Sequence, residues 1–205
     1  GDHRDLHSFP TRRSFDLIAR FGRFPWPRTL TAQALEKISA ANPEVIGLSV
    51  LYTDASTESD DTALAQAIRN SGKVVIAAQL VTAGANRAEW LRPLPAIEQA
   101  AAAVGHGNVT TDNDGVARAL LLREADDQGR AYWSLAVEII RIADGARPDE
   151  IHEVPGAVRL SDRTIPVKTD SPAIVIASQS NSTPIETLRS NLMPVDFIGP
   201  AGSFA

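Results

Sequence analysis

"EVIGLSVLY", Glu44–Tyr52, is almost continuously apolar and carries several β-branched residues. It does not alternate, so it suits a strand covered on both faces. Upstream, Thr29–Ala41 reads as a helix: Leu30, Ala34, Ile38 and Ala41 fall on one face at steps of four, four and three. Asn42-Pro43 ends it. Downstream, "TDASTES" is a polar loop, and Asp60 or Asp61 is placed to cap a helix carrying Leu64 and Ile68 that closes at Gly72. "KVVIAAQLV", Lys73–Val81, is a second buried strand. Helix, strand, helix, strand in this order predicts a parallel sheet with helices packed on it and right-handed crossovers.

Beyond that unit the elements shorten. "AGANRAEWLRPLP" reads as a loop, "AIEQAAAA" as a short helix and "VGHGNV" as a short strand. "TDNDG" is a tight turn, "VARALLLRE" a strand and "ADDQGRA" a hairpin loop. Ser134–Ala143 is a helix with Leu135, Ile139 and Ile142 on one face. "AVRL", "TIPV", "AIVIA" and "VDFIG" are β-like pieces, with polar residues Ser178–Pro184 among them. The expected fold class is α/β: a mixed, largely parallel sheet flanked by helices, with a β-rich C-terminal part.

The first seventeen residues differ in character. "HSFPTRRSFDL" resembles a translated sequencing-library adapter with one change at Phe15, so residues 1–17 are expected to be a non-native tail. Residues 18–205 then form a single domain, expected to be incomplete at both ends.

Composition narrows the function. The chain has 205 residues, 43% hydrophobic and 22% charged, which is ordinary globular usage. It has no cysteine, which removes disulfides, thiolate metal sites and a Cys nucleophile. The net charge of −5 is spread along the chain, and no basic-aromatic pattern argues for nucleic acid. No apolar run is long enough to span a bilayer.

Most motif readings fail. "GHGNVT" has Thr110 where a dinucleotide fingerprint needs its third glycine. "GLSVL" around Ser49 lacks the second glycine of a nucleophile elbow. If Gly115 is set at position six of a calcium loop, Thr110 and Leu121 occupy the positions of its obligatory acids. Asp54, Glu58, Asp60 and Asp61 follow the first strand, where parallel sheets bind ligands. They suit a cation or polar-ligand site, and they suit helix capping better. Arg28 stands at a helix start, the unfavourable end for a cation, so Asp54 or Asp61 is its expected partner, unless it is simply solvated.

In order along the chain, "GRFPWPRTLTAQAL", "VIGLSVLY", "DDTALAQAI", "VGHGNVTTDNDGVAR", "SLAVEI" and "FIGPAGSF" resemble the CHASE type-two domain, a sensory extracellular domain associated with cyclases and histidine kinases. The elements that carry the resemblance are Pro25, Trp26, Pro27 and Arg28, then Asp112, Asp114, Gly115 and Arg118, then Gly199 and Pro200. The resemblance implies an extracytoplasmic ligand-sensing domain of a bacterial receptor, homodimeric in its parent and joined to membrane helices. The implied output is a nucleotide cyclase, a histidine kinase or a serine/threonine kinase. It implies no cofactor and no catalysis in this segment. The family's usual acidic residue in the first strand is replaced by Ser49, so a site using that acid is altered here.

A ligand, small molecule or protein, is expected among polar and aromatic residues near strand ends and turns: Tyr52, Asp54, Asp61, Gln79, His106, Asn108 and Arg118. Two other readings remain. One is a structural dimerisation module. The other is a metal-assisted hydrolase using Asp54, Asp61, Asp112 and Asp114, which requires those carboxylates to converge.

Overall fold

The computed structural model describes residues 19, 21–22, 25–83, 87–111 and 114–167, together with the backbone of 192–194. The expected N-terminal tail, Asp112, "AIVIA", "VDFIG", Gly199 and Pro200 lie outside the described residues.

The sheet at the centre is built on β2 (Val74–Ala83). Its first half pairs in parallel with β1 (Ile46–Leu48) on one edge and β4 (Ala103–His106) on the other. Its second half pairs antiparallel with β3 (Arg87–Leu91). Alternate carbonyls of a strand point to opposite edges. Lys73 O accepts from Ile46 N, while Val74 O and Ala78 O accept from Ala102 and Gly107 on the β4 side. The Asn108 amide occupies the backbone of Leu80 on that same side. β3 therefore continues the edge that β1 begins. The sequence reading placed a loop over β3. Five residues with only Ala88 and Trp90 facing inward carry too little apolar period to reveal a strand without its partner.

Three helices cover one face: α1 (Arg28–Ser39), α2 (Glu58–Ser71) and the single turn α3 (Pro95–Glu98). Ala32, Leu35, Leu64, Ile68 and Ile97 join Ile46, Val74 and Ile76 in one buried core. Here the predicted face of α1 is corrected. Ala32 and Leu35 are buried, whereas Ile38 is 47% exposed and Ala34 is exposed. The short helix offered two apolar stripes, and the position of α2 selected the smaller one. The cap of α2 is also corrected: Thr57 Oγ1, not Asp60 or Asp61, accepts from a first-turn amide, that of Asp60, at 3.2 Å.

β1 is shorter than the apolar run suggested, and Ser49 and Leu51 are exposed. Its opposite face, with the opposite faces of β2 and β4, carries α4 (Leu135–Ala143). Two glycines let the helix approach. A Cβ on Gly105 would lie 2.6 Å from Leu135 Cα, and one on Gly47 2.6 Å from Ile139 Cδ1. The outer side of α4 meets a second core, in which Val137 packs with Leu122, Ile151, Val158 and Leu160.

That second core belongs to the β-rich C-terminal part. The expected strand "VARALLLRE" divides at Leu122 into β5 (Ala119–Leu121) and β6 (Arg123–Ala125). β6 forms a hairpin with β7 (Ala131–Trp133), closed by the expected loop. β8 (Ile151–Val154), β9 (Ala157–Leu160) and β10 (Arg163–Pro166) make an antiparallel meander. The backbone of β11 (Leu192–Pro194) pairs with β5.

Candidate functional site

Polar residues gather where α1 and α2 begin. Pro27 precedes α1 and supplies no side-chain cap, so first-turn amides need acceptors from elsewhere. Asp60, at the start of α2, accepts from Thr29 N at 3.2 Å, and that bond holds its carboxyl below the usual range. Asp61 Oδ1 lies 2.5 Å from Arg28 Nη1, and Asp61 Oδ2 accepts from Ser56 N at 3.1 Å. The other arm of the Arg28 fork donates to the Asp54 carbonyl. Its guanidinium carbon stands 5.1 Å from the centre of the Tyr52 ring, within cation–π range.

The unfavourable placement of Arg28 at a helix start is thus offset by one carboxylate, one carbonyl and one aromatic face. Both expected partners, Asp54 and Asp61, are used. Trp26 Nε1 donates to Gly22 O at 3.0 Å, and its ring lies 5.9 Å from that of Phe21.

The other expected site residues are separate from this group. Gln79 is exposed on β2, opposite Leu91. Asn108 binds the Leu80 backbone through both ends of its amide, at 3.0 and 2.9 Å, and so extends the β4 ladder. Arg118 grips Asp114 with two bonds of 2.9 and 2.8 Å across an exposed turn. That grip, with the Val116 amide, pulls the Asp114 carboxyl down to about 2. The hydrolase reading needed convergence on one pocket. Instead Asp61 is engaged by Arg28 and Asp114 by Arg118, and no metal-binding group of three such side chains occurs among the described residues.

His106 is 1% exposed at the end of β4. Its Nδ1 lies 3.4 Å from Glu124 Oε2 on β6. Burial pushes the ring down to about 4 and the Glu124 carboxyl up to about 7. Nearby, Trp90 meets Tyr132 edge-on at 4.8 Å and donates to Arg130 O at 2.9 Å.

An open cleft of about 500 Å³ lies beside the Tyr52 segment, lined by Arg92, Pro93, Pro95, Glu98 and Gln99. Leu94 N donates to Tyr52 O at 2.8 Å and joins the two. Arg92 and Glu98 pair at 2.5 Å. Sequence reasoning missed this cleft, and it missed Glu124. Arg92 and Glu98 sit in no motif, and only the turn through Pro93 and Pro95 brings them together.

The family model for the CHASE2 domain matches residues 8–199. The chain belongs to the CHASE2 domain family. The matched range begins inside residues 1–17, the stretch expected to be a non-native tail. CHASE2 domains are extracellular sensory domains of membrane receptors, and they are not catalytic. No curated protein and no solved structure gives a significant match. Among the described residues, no helix is long and apolar enough to cross a membrane.

Proposed function

We propose that this chain is the ligand-sensing input domain of a bacterial transmembrane receptor, with residues 18–205 as its single domain. It stands on the periplasmic face of the inner membrane, and its parent is a homodimer. The output is a nucleotide cyclase, a histidine kinase or a serine/threonine kinase. Membership of the CHASE2 family carries the reading.

The geometry supports one entry point for a small ligand, the cleft at Arg92–Gln99. Its volume of about 500 Å³ falls in the usual range for small-molecule sites, about 300–1,000 Å³. Arg92 and Glu98 offer one cation and one anion. Leu94, within the segment that lines the cleft, donates its N–H to Tyr52 O, and Arg28 joins the Tyr52 ring to the Asp54 carbonyl and the Asp61 carboxylate.

The gene beyond Ala205 should encode apolar spans of about 20 residues and then a cyclase or kinase domain. A stop codon directly after Ala205 overturns the receptor reading. A thermal-shift screen of small polar metabolites tests the cleft, because a ligand of the folded form raises its melting temperature. A shift abolished by Arg92→Ala and by Glu98→Ala supports the cleft; a shift that survives both puts the ligand elsewhere.

The second reading, a dimerisation module without a ligand, is favoured by the exposed apolar face of α1 at Ala34 and Ile38. Sedimentation equilibrium of the chain and of Ile38→Lys tests it. A monomer in both refutes it.

A further inference from the structure

His106 and Glu124 come from different layers. His106 ends a strand of the central sheet, and Glu124 lies on the β6–β7 hairpin. Neither ring nitrogen nor Glu124 Oε2 has a partner of hydrogen-bond geometry among the described residues. His106 Nδ1 and Glu124 Oε2 approach each other to 3.4 Å, and the Leu122 carbonyl also acts on the ring.

Three proton counts are open to the pair. With none, an unbalanced carboxylate faces the lone pair of a neutral ring. With two, an imidazolium faces an uncharged acid. Either leaves a net charge in an enclosed site, which is unfavourable. With one proton the pair is neutral, whichever partner carries it.

We propose that His106 and Glu124 hold one proton between them as a single unit, and that this shared proton makes the sheet–hairpin junction indifferent to the acidity outside the cell. The significance of the outside pH rests on the family's extracellular placement; the proton chemistry rests on the pair alone.

The surroundings leave the pair to itself. β2 brings no titratable side chain, and Arg87 and Glu89 of β3 are exposed. Tyr132 of β7 interacts with Arg92, Glu98 and Arg130. Glu138 of α4 is held by Arg141, and Arg123 of β6 by Glu153. In the hairpin loop, the carboxylates of Asp126 and Asp127 accept backbone amides. Burial acts on both partners, and the Leu122 carbonyl adds a smaller pull toward a charged ring.

The sign of each contribution follows from its direction. Glu124 is raised, so its contribution is complete below 4.5 and lost as pH rises through about 7. His106 is lowered, so its contribution is complete above 6.5 and lost as pH falls through about 4. Where the windows overlap, the two slopes are opposite and cancel. An opened junction also carries one proton there, on the histidine, so opening neither takes up nor releases any.

Hydrogen exchange read by NMR on the whole chain tests this. Protection factors of the β6–β7 amides and of Ser134 are followed from pH 4 to 7.5. In the wild type they should change by no more than about threefold between pH 4.5 and 7. Glu124→Gln should leave the histidine limb, with protection rising by up to about a hundredfold from pH 4 to 6.5. His106→Phe should leave the opposite limb, with protection falling by a similar factor toward pH 7. A steep slope of either sign in the wild type, or a flat profile in Glu124→Gln, overturns the proposal. If His106→Phe does not fold, the wild-type ¹⁵N signals of His106 and the ¹³C carboxyl signal of Glu124 decide. Both signals moving together in steps near 4 and near 7 support the unit; independent midpoints near 6.5 for the ring and 4.5 for the carboxyl refute it.

Discussion

Gly105→Ala tests how closely α4 lies on the sheet, and with it the position of His106. The new Cβ would sit 2.6 Å from Leu135 Cα and 2.8 Å from Leu135 N. Carbon atoms rest at about 3.5–4.0 Å, so the start of α4 must retreat by roughly 1 Å. Backbone cannot swing aside as a side-chain tip can. Ser134 resists the retreat, because its N donates to Leu122 O at 2.7 Å and its Oγ caps Val137 N at 3.3 Å. Overpacking of this kind costs about 1–3 kcal/mol, and loosening the cap adds about 1 kcal/mol. Removing a glycine from the unfolded chain offsets about 0.4–1 kcal/mol. The net loss is about 1–3 kcal/mol. With a urea slope of about 2 kcal/mol/M, the midpoint should fall by roughly 0.5–1.5 M. Gly107→Ala is the control, since a Cβ there meets nothing within 4 Å; its midpoint should stay or rise slightly. Gly47→Ala should lie between them, because the tip of Ile139 can move. Urea unfolding followed by tryptophan fluorescence reads all three. Equal midpoints for Gly105→Ala and Gly107→Ala would refute the close packing of α4 on β4.

Three more outcomes follow from the ion pairs. Arg28 and Asp61 side chains are only 12% and 18% exposed, so either alanine substitution should cost about 1–3 kcal/mol. A double-mutant cycle should show coupling of about 1–2 kcal/mol, and Arg28→Lys should not restore stability, because one ammonium cannot reproduce the two-armed fork over Tyr52. Arg141 is buried, pairs with Glu138 at 2.7 Å and donates to Ala146 O; Arg141→Ala should cost about 3–5 kcal/mol, and a urea midpoint unchanged from wild type would remove the pair as a structural link. Asp114 is lowered, so its stabilising effect is present above 3.8 and lost as pH falls through about 2. Its carboxyl ¹³C midpoint should lie near 2 and move back toward 3.8 in Arg118→Ala.

Part of the site was legible because its logic is local. Arg28 at a helix start demands a counter-charge, and the acidic run after the first strand supplies it. The "TDNDG" turn and its arginine, four residues past Asp114, are near neighbours along the chain. Asn108 was legible as polar but not as structural, because the backbone it serves is at Leu80. Glu124 looked like the end of an apolar strand. Only the return of the β6–β7 hairpin under His106 makes it a partner. Arg92 and Glu98 are similarly silent until the chain turns at the two prolines.

The sequence by itself determined the period of the elements. Continuous apolar runs became β1 and β2, and the glycine after the second helix became its left-handed end. These depend on residues within a few positions of one another. Tertiary structure decided which face each element presents. Leu30, Ala34 and Ile38 form as regular a stripe as any in the chain, yet α1 buries Ala32 and Leu35 because Asp60 and Asp61 hold its first turn against α2. α4 is covered on both sides, so its buried residues include a glutamate and an arginine that no amphipathic period would place inside. Burial is a property of two surfaces meeting, and one stretch of sequence specifies only one of them.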